Sequence, residues 1–208
     1  KNIEVPVYSL DEIVSRRPEE IEIKTPLLYF EEYLKSGYYP FAKERGYTEK
    51  LRQIISLTLE TDIPVYAGLN STMGIKLKKL LAIIAQSVPF KPNMSKLADM
   101  LDISRNILPD YFHYMEEAGM IMQLRDDTNG IRALGKVEKV YLDNPNLIYS
   151  LAAGEMNIGN VRETCFLNQM RLNNEVLSSS IADFKIGKRT FEVGGKSKGL
   201  RQIESAEE

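Results

Sequence analysis

Arg105 and Asn106 stand side by side where a helix is expected to begin, and a guanidinium and a carboxamide are the groups that donate to base edges in a major groove. Lys76, Lys79 and Lys96 are close in sequence and offer the cations that a phosphate backbone needs. The same expected helix carries Asp110, Glu116 and Glu117, which repel phosphates. Two readings therefore stand for these residues: a nucleic-acid face, or the solvated surface of a packing scaffold. Metal chemistry has little to work with in this stretch, because His113 is the only histidine and Cys165 the only cysteine of the chain. Cys165 is expected as a small apolar core residue, and a lone cysteine forms no internal disulfide.

The elements that would hold these residues follow from spacing and caps. Leu77, Leu80, Leu81, Ile84 and Ala85 recur at helical intervals and leave Lys76, Lys78, Lys79 and Gln86 on the polar side. Pro89 and Pro92 end that helix. Ser95 is read as the cap of a second helix over 96–101, with Leu97, Ala98 and Leu101 inward. Ser104 is read as the cap of a third, running to about Ala118, with Ile107, Leu108, Tyr111, Met115 and Ala118 inward and Gly119 at its left-handed end. A strand over 120–124, a turn at Asn129-Gly130 and a return strand over 131–134 complete the sequence form of a winged helix-turn-helix.

The chain has 208 residues, a net charge of -2, 43% hydrophobic and 27% charged residues, which suits a globular protein with real cores and argues against a general affinity for polyanions. Neither a membrane span nor a signal-peptide pattern is seen, so a cytoplasmic protein without a membrane partner is expected. The first residue is Lys1, in ordinary-looking sequence, and a fragment of something longer or a processed chain is expected.

Three regions are predicted: a helical linker over 1–70, the winged helix over 71–138, and a smaller α/β unit over 139–208. In the first, Ser9-Leu10-Asp11-Glu12 resembles a capping box. Tyr29, Phe30, Tyr33 and Leu34 make an apolar face that ends at Gly37, and Tyr29, Tyr33, Tyr38 and Tyr39 form an aromatic cluster suited to a core or an interface. Thr48 is read as the cap of a helix stopped at Asp62-Ile63-Pro64. In the third, a strand over 139–142, a turn at Asp143-Asn144-Pro145, helices over 146–153 and 159–173, and a meander of three short strands are predicted. The fold class is α+β, mostly helical at first.

The order of four segments carries a resemblance: 30–40 (FEEYLKSGYYP), 115–121 (MEEAGMI), Val140-Tyr141-Leu142-Asp143, and 191–196 (FEVGGK). Together they resemble the carboxy-terminal region, of unknown function, in a family of prokaryotic AAA+ ATPases. The resemblance implies a parent protein that binds ATP upstream of Lys1 and a chain that acts as a coupling scaffold between that module and an unknown protein partner. No G-x-x-x-x-G-K-[ST] loop is present, so ATP hydrolysis by this chain is not expected. Duplex DNA is the alternative partner.

The resemblance further implies that the last region is similar to a restriction-endonuclease fold, with Mg2+ as its metal. There Glu163 matches the helix glutamate, Asp183 the strand aspartate and Glu192 the third-strand acid, so that Asp183 and Glu192 are the implied metal ligands. The expected lysine is displaced. Gly194 stands two residues after Glu192, and the nearest lysine, Lys196, falls roughly 7 Å further along an extended strand. The chain also ends before a closing element of that fold is evident. A silent nuclease-like unit and an active one are both compatible with these residues.

Overall fold

The computed structural model describes residues 25–68, 70–126, 136–151 and 156–194. The first helix, α1 (Pro26–Ser36), ends as expected at Gly37, whose positive φ of 69° directs the chain away from the helix axis. A short 3₁₀ turn (Pro40–Lys43) follows, with Tyr39 stacked on Phe41.

Two sequence expectations fail in the next segment. Helix α2 (Tyr47–Leu57) begins one residue before Thr48, with Gly46 in the left-handed region at its cap, and Thr48 makes no cap. Nor does the helix stop at Asp62-Ile63-Pro64. It runs through a π turn (Thr58–Asp62) into α3 (Ile63–Ala67), and Gly68 closes it. The wider π turn gives Pro64, which has no N–H to donate, a place early in the next helical segment.

Helix α4 (Ser71–Ala85) buries Leu77, Leu80, Leu81 and Ile84 as its spacing predicts. Phe90 then pairs with the later Val140 through both backbone bonds, 2.8 and 2.7 Å. Helix α5 (Met94–Leu101) buries Leu97, Ala98 and Leu101. Its cap is Asn93, whose side chain accepts from the Lys96 amide at 3.0 Å, so the reading of Ser95 as the cap is corrected: Asn93 sits two residues earlier with extended backbone, as a cap requires. The Ser104 side chain does accept from the Asn106 amide, at 3.4 Å, but it opens a 3₁₀ turn (Arg105–Ile107) that leads into α6 (Leu108–Glu117). The buried face of α6 includes Phe112, which the sequence stripe omits, while Ile107 is exposed.

Strand β1 (Ile121–Arg125) pairs antiparallel with β2 (Val137–Leu142), Ile121 opposite Leu142, with an irregularity at Leu124/Arg125. Strand β2 therefore lies between β1 and Phe90. The turn and return strand expected over 127–135 lie outside the described residues. The boundary drawn at 138/139 falls inside β2. Helices α7 (Pro145–Leu151) and α8 (Ile158–Met170) follow, and then the antiparallel meander β3 (Val176–Ser178), β4 (Phe184–Ile186), β5 (Arg189–Phe191) in the order β3-β4-β5. The class is α+β, as expected. One apolar core runs through these elements from Leu34 to Phe184, with Cys165 buried in it.

Candidate functional site

The densest polar structure lies where β2 runs into α7. Asp143 is 3% exposed, and Asn144 and Asn146 are fully buried, a costly placement unless partners meet them. Most of their polar atoms meet partners, whereas among the described residues Asn144 Nδ2 and Asn146 Oδ1 have none. The Asp143 carboxylate accepts from the Arg171 guanidinium and, at 3.5 Å, from the Tyr38 hydroxyl. Its carbonyl accepts from Asn168 Nδ2 at 2.8 Å, and its amide donates to the Met120 carbonyl at 3.0 Å. Asn146 Nδ2 donates to Tyr47 Oη at 2.7 Å and to the Ser36 carbonyl at 3.3 Å, which caps the end of α1. A Cβ on Gly37 would lie 2.5 Å from Asn146 Nδ2, so only glycine lets the end of α1 come so close.

Burial governs the electrostatics here. It pushes the Asp143 carboxyl upward, with the Arg171 charge pulling against it. Burial, and next the Asp143 charge, push the Tyr38 phenol up to about 12. Gln169 Nε2 donates to Tyr33 Oη at 3.0 Å, so α8 also grips α1. The four tyrosines thus divide. Tyr33 and Tyr39 are half-buried in this joint, Tyr38 keeps 55% of its surface exposed while its hydroxyl turns inward to Asp143, and Tyr29 is exposed.

The other end of α1 is unlike this one. Leu27, Leu28, Tyr29 and Phe30 are 76%, 61%, 59% and 47% exposed, so the first turns present apolar side chains on all sides.

A second polar group surrounds Tyr141. Its hydroxyl donates to Glu163 Oε2 at 3.1 Å, and both are buried. Burial raises the Tyr141 phenol, and the charges of Glu163 and Asp183 raise it further. Asp183 Oδ1 lies 3.6 Å from Lys139 Nζ, and its Oδ2 accepts from the Val193 amide at 3.0 Å. Asp183 immediately precedes β4 and Glu192 immediately follows β5. Since Phe184 pairs with Phe191, these two acids sit next to one another across the same ladder. Glu163 and Asp183 thus both lie near Tyr141, and Glu192 sits beside Asp183 on the β4-β5 ladder, with Lys139 as a basic neighbour of Asp183 that the sequence pattern did not suggest. Lys196 lies outside the described residues. Among the described residues no three His, Cys, Asp or Glu side chains gather as a metal site. A cleft of about 530 Å³, lined by Glu138, Ser178, Ser179, Ser180, Lys185 and Thr190, includes none of the three acids.

The residues considered for nucleic acid differ in what they touch. Arg105, Asn106 and Lys96 are exposed. Lys79 Nζ donates to the Met100 carbonyl and Lys76 Nζ to the Asp102 carbonyl at 2.6 Å, so both ammonium groups close the carboxy-terminal end of α5. Glu116 holds β1, accepting from the Gln123 amide at 2.8 Å and its Nε2 at 2.7 Å. Sequence spacing alone gives no sign of these last three roles, because each partner belongs to another element.

Helices on a small antiparallel β1-β2 pair, followed by a helix and a three-stranded meander, make an α+β protein whose halves meet at the Asp143 joint. Residues 27–157 match the model of a family described as a domain of unknown function (DUF8612), and the chain belongs to that family. The match takes in α1, Gly37, the whole segment from α4 to β2 and the Asp143-Asn146 turn, and it stops before Glu163, Asp183 and Glu192. No curated protein and no solved structure matches the sequence. Among the described residues no helix is long and apolar enough to cross a membrane.

Proposed function

We infer that this chain is the non-ATPase portion of a AAA+ ATPase-like protein and works as a coupling scaffold. Helix α1 is the strut. The observation that carries this reading is its asymmetry: one end is locked through Gly37, Ser36, Tyr33 and Tyr38 to Asn146, Gln169 and Asp143, and the other presents uncovered apolar side chains on the upstream side. Displacement applied to the free end reaches the locked end with little loss, because an α-helix of 11 residues is a stiff rod of about 16 Å. There it meets the junction of β2 and α7. The ATP that drives such displacement belongs to the upstream module, and the described residues hold no phosphate-binding loop.

The test compares this chain with a longer protein that includes the upstream module. The chain alone is expected to leave ATP intact, the longer protein to hydrolyse it, and Asp143→Asn or Tyr38→Phe to alter the partner's effect on turnover without abolishing basal turnover. ATP consumption by the isolated chain would sink the reading.

A second reading is DNA binding by a winged helix-turn-helix formed by α4, α5, α6 and the β1-β2 pair. The exposure of Arg105, Asn106 and Lys96 near the start of the third helical segment favours it; the capping roles of Lys76 and Lys79 weigh against it. Duplex binding that weakens steeply with salt and is lost in Arg105→Ala would support it. Magnesium-dependent cleavage through Glu163, Asp183 and Glu192 is the remaining alternative, tested by loss of cleavage in Glu192→Ala.

A further inference from the structure

The connection from the end of α1 into α2 interleaves rings with cations. Four rings stand in a row: Tyr38 lies 5.2 Å from Tyr39, Tyr39 stacks on Phe41 at 5.5 Å, and Phe41 lies 5.6 Å from Tyr47. The row is anchored from beneath. Tyr39, Phe41 and Tyr47 pack on the core, the Tyr47 hydroxyl donates to the Ser36 carbonyl, and the Tyr38 hydroxyl donates to Asp143. Tyr38 is nevertheless 55% exposed, and with its polar tip turned inward the surface it offers is chiefly ring. The charges around the row are one-sided. Residues 35–52 hold five lysines and arginines against two glutamates, in a chain whose net charge is -2. Lys50 pairs with Glu44, and Arg52 donates to the Ser150 carbonyl. Lys35, Lys43 and Arg45 are exposed and, among the described residues, pair with no carboxylate.

We propose that this connection binds single-stranded nucleic acid, a base stacking on Tyr38 and the phosphates meeting Lys35, Lys43 and Arg45. Rings and cations together select that partner. An acidic peptide would need only the cations, and a duplex keeps its base faces stacked on one another, whereas a single strand offers phosphates and open base faces at once. Binding of this kind tolerates many sequences, because every base has a flat face. The rings are fixed before a ligand arrives, so little ordering cost opposes association. This surface lies at the locked end of α1, leaves the head of that helix uncovered and shares no residue with the winged-helix face. It therefore stands or falls separately from both readings of function.

Fluorescence anisotropy of a labelled oligothymidylate of about 12 nucleotides, titrated with the full 208-residue chain, tests it. Saturable binding is expected, with a slope of about -2 for the logarithm of affinity against that of salt, since each of three cations releases about 0.7 counterion from a single strand. Lys43→Glu combined with Arg45→Glu should weaken binding about tenfold or more and flatten that slope. Tyr38→Leu should weaken it about tenfold, whereas Tyr38→Phe, which keeps the ring and loses the hydroxyl, should stay within about twofold of the parent. Each variant is measured where its circular dichroism matches the parent's. Arg105→Ala is expected to leave the affinity unchanged. The absence of saturable binding at about 50 mM salt would overturn the proposal. Equal losses in Tyr38→Phe and Tyr38→Leu would also overturn it, because Tyr38 would then act only through its hydroxyl in the Asp143 joint. Tighter binding of a duplex, lost in Arg105→Ala, would move nucleic acid to the winged helix instead. Competition by polyglutamate as strong as by unlabelled oligothymidylate would assign the cations to an acidic protein.

Discussion

Gly37 shows at the level of one residue how the joint is built. Its φ of 69° disfavours any side chain, and the space a Cβ needs is occupied by Asn146 Nδ2 at 2.5 Å and Asn146 Cγ at 2.8 Å. Gly37→Ala is expected to lower unfolding free energy by about 1–3 kcal/mol in urea titrations. Gly68→Ala, also at positive φ but facing open space, should cost less, about 1 kcal/mol. Equal effects would mean that Asn146 does not press on the end of α1. The tyrosines give a pH dependence. Tyr38 ionises near 12 in the folded chain and near 10 when unfolded, so the unfolded state gives up its proton first as pH rises. Stability is therefore full below about pH 10 and falls between about 10 and 12. The melting temperature should drop across that window, and Tyr38→Phe should flatten part of the drop; a curve indifferent to Tyr38 would remove it from the joint.

At the level of elements, the crossing of α4 over the π turn decides a sign. A helical Gly→Ala change ordinarily gains about 1 kcal/mol. At Gly74 the added Cβ would meet the Glu60 Cα at 2.6 Å and the Leu59 carbonyl at 3.0 Å, and backbone cannot step aside as a flexible side chain can. Gly74→Ala is expected to destabilise by about 1–3 kcal/mol, with measured stabilisation refuting so close a helix crossing. For α5, Asn93→Ala should cost about 1 kcal/mol and Ser95→Ala less than about 0.5, a comparison that calorimetry resolves. Reversal of that order would return the cap to Ser95.

Across the whole molecule, β2 is the element everything else leans on. It pairs with β1 on one side and Phe90 on the other, carries Tyr141 and Lys139 toward Glu163 and Asp183, and delivers Asp143 to the joint with α1 and α8. A chain ended after residue 138 should therefore lose cooperative unfolding, seen as a broad or absent transition by circular dichroism. A sharp transition in that shortened chain would show that 71–138 is self-sufficient. How much of this was legible follows from the range of each interaction. The stripe Leu77, Leu80, Leu81, Ile84 announced α4, Gly37 announced the end of α1, and Ser104 announced the turn before α6, because each signal and its structural answer lie within a few residues. The π turn was not legible, since Pro64 ordinarily ends a helix and only the packing of α4 against Leu59 and Glu60 makes the continuation favourable. Phe112 was missed for a similar reason, as the width of a buried face depends on what packs against it. The sequence by itself determined most of the helices, the meander and the α+β class, which local spacing encodes, whereas the acids at 163, 183 and 192 were singled out only by the family resemblance. Only the tertiary structure decided that Lys76 and Lys79 cap a helix, that Lys139 faces Asp183, and that Asp143 and Asn146 hold α1, because those partners lie far apart along the chain and no local spacing encodes their meeting.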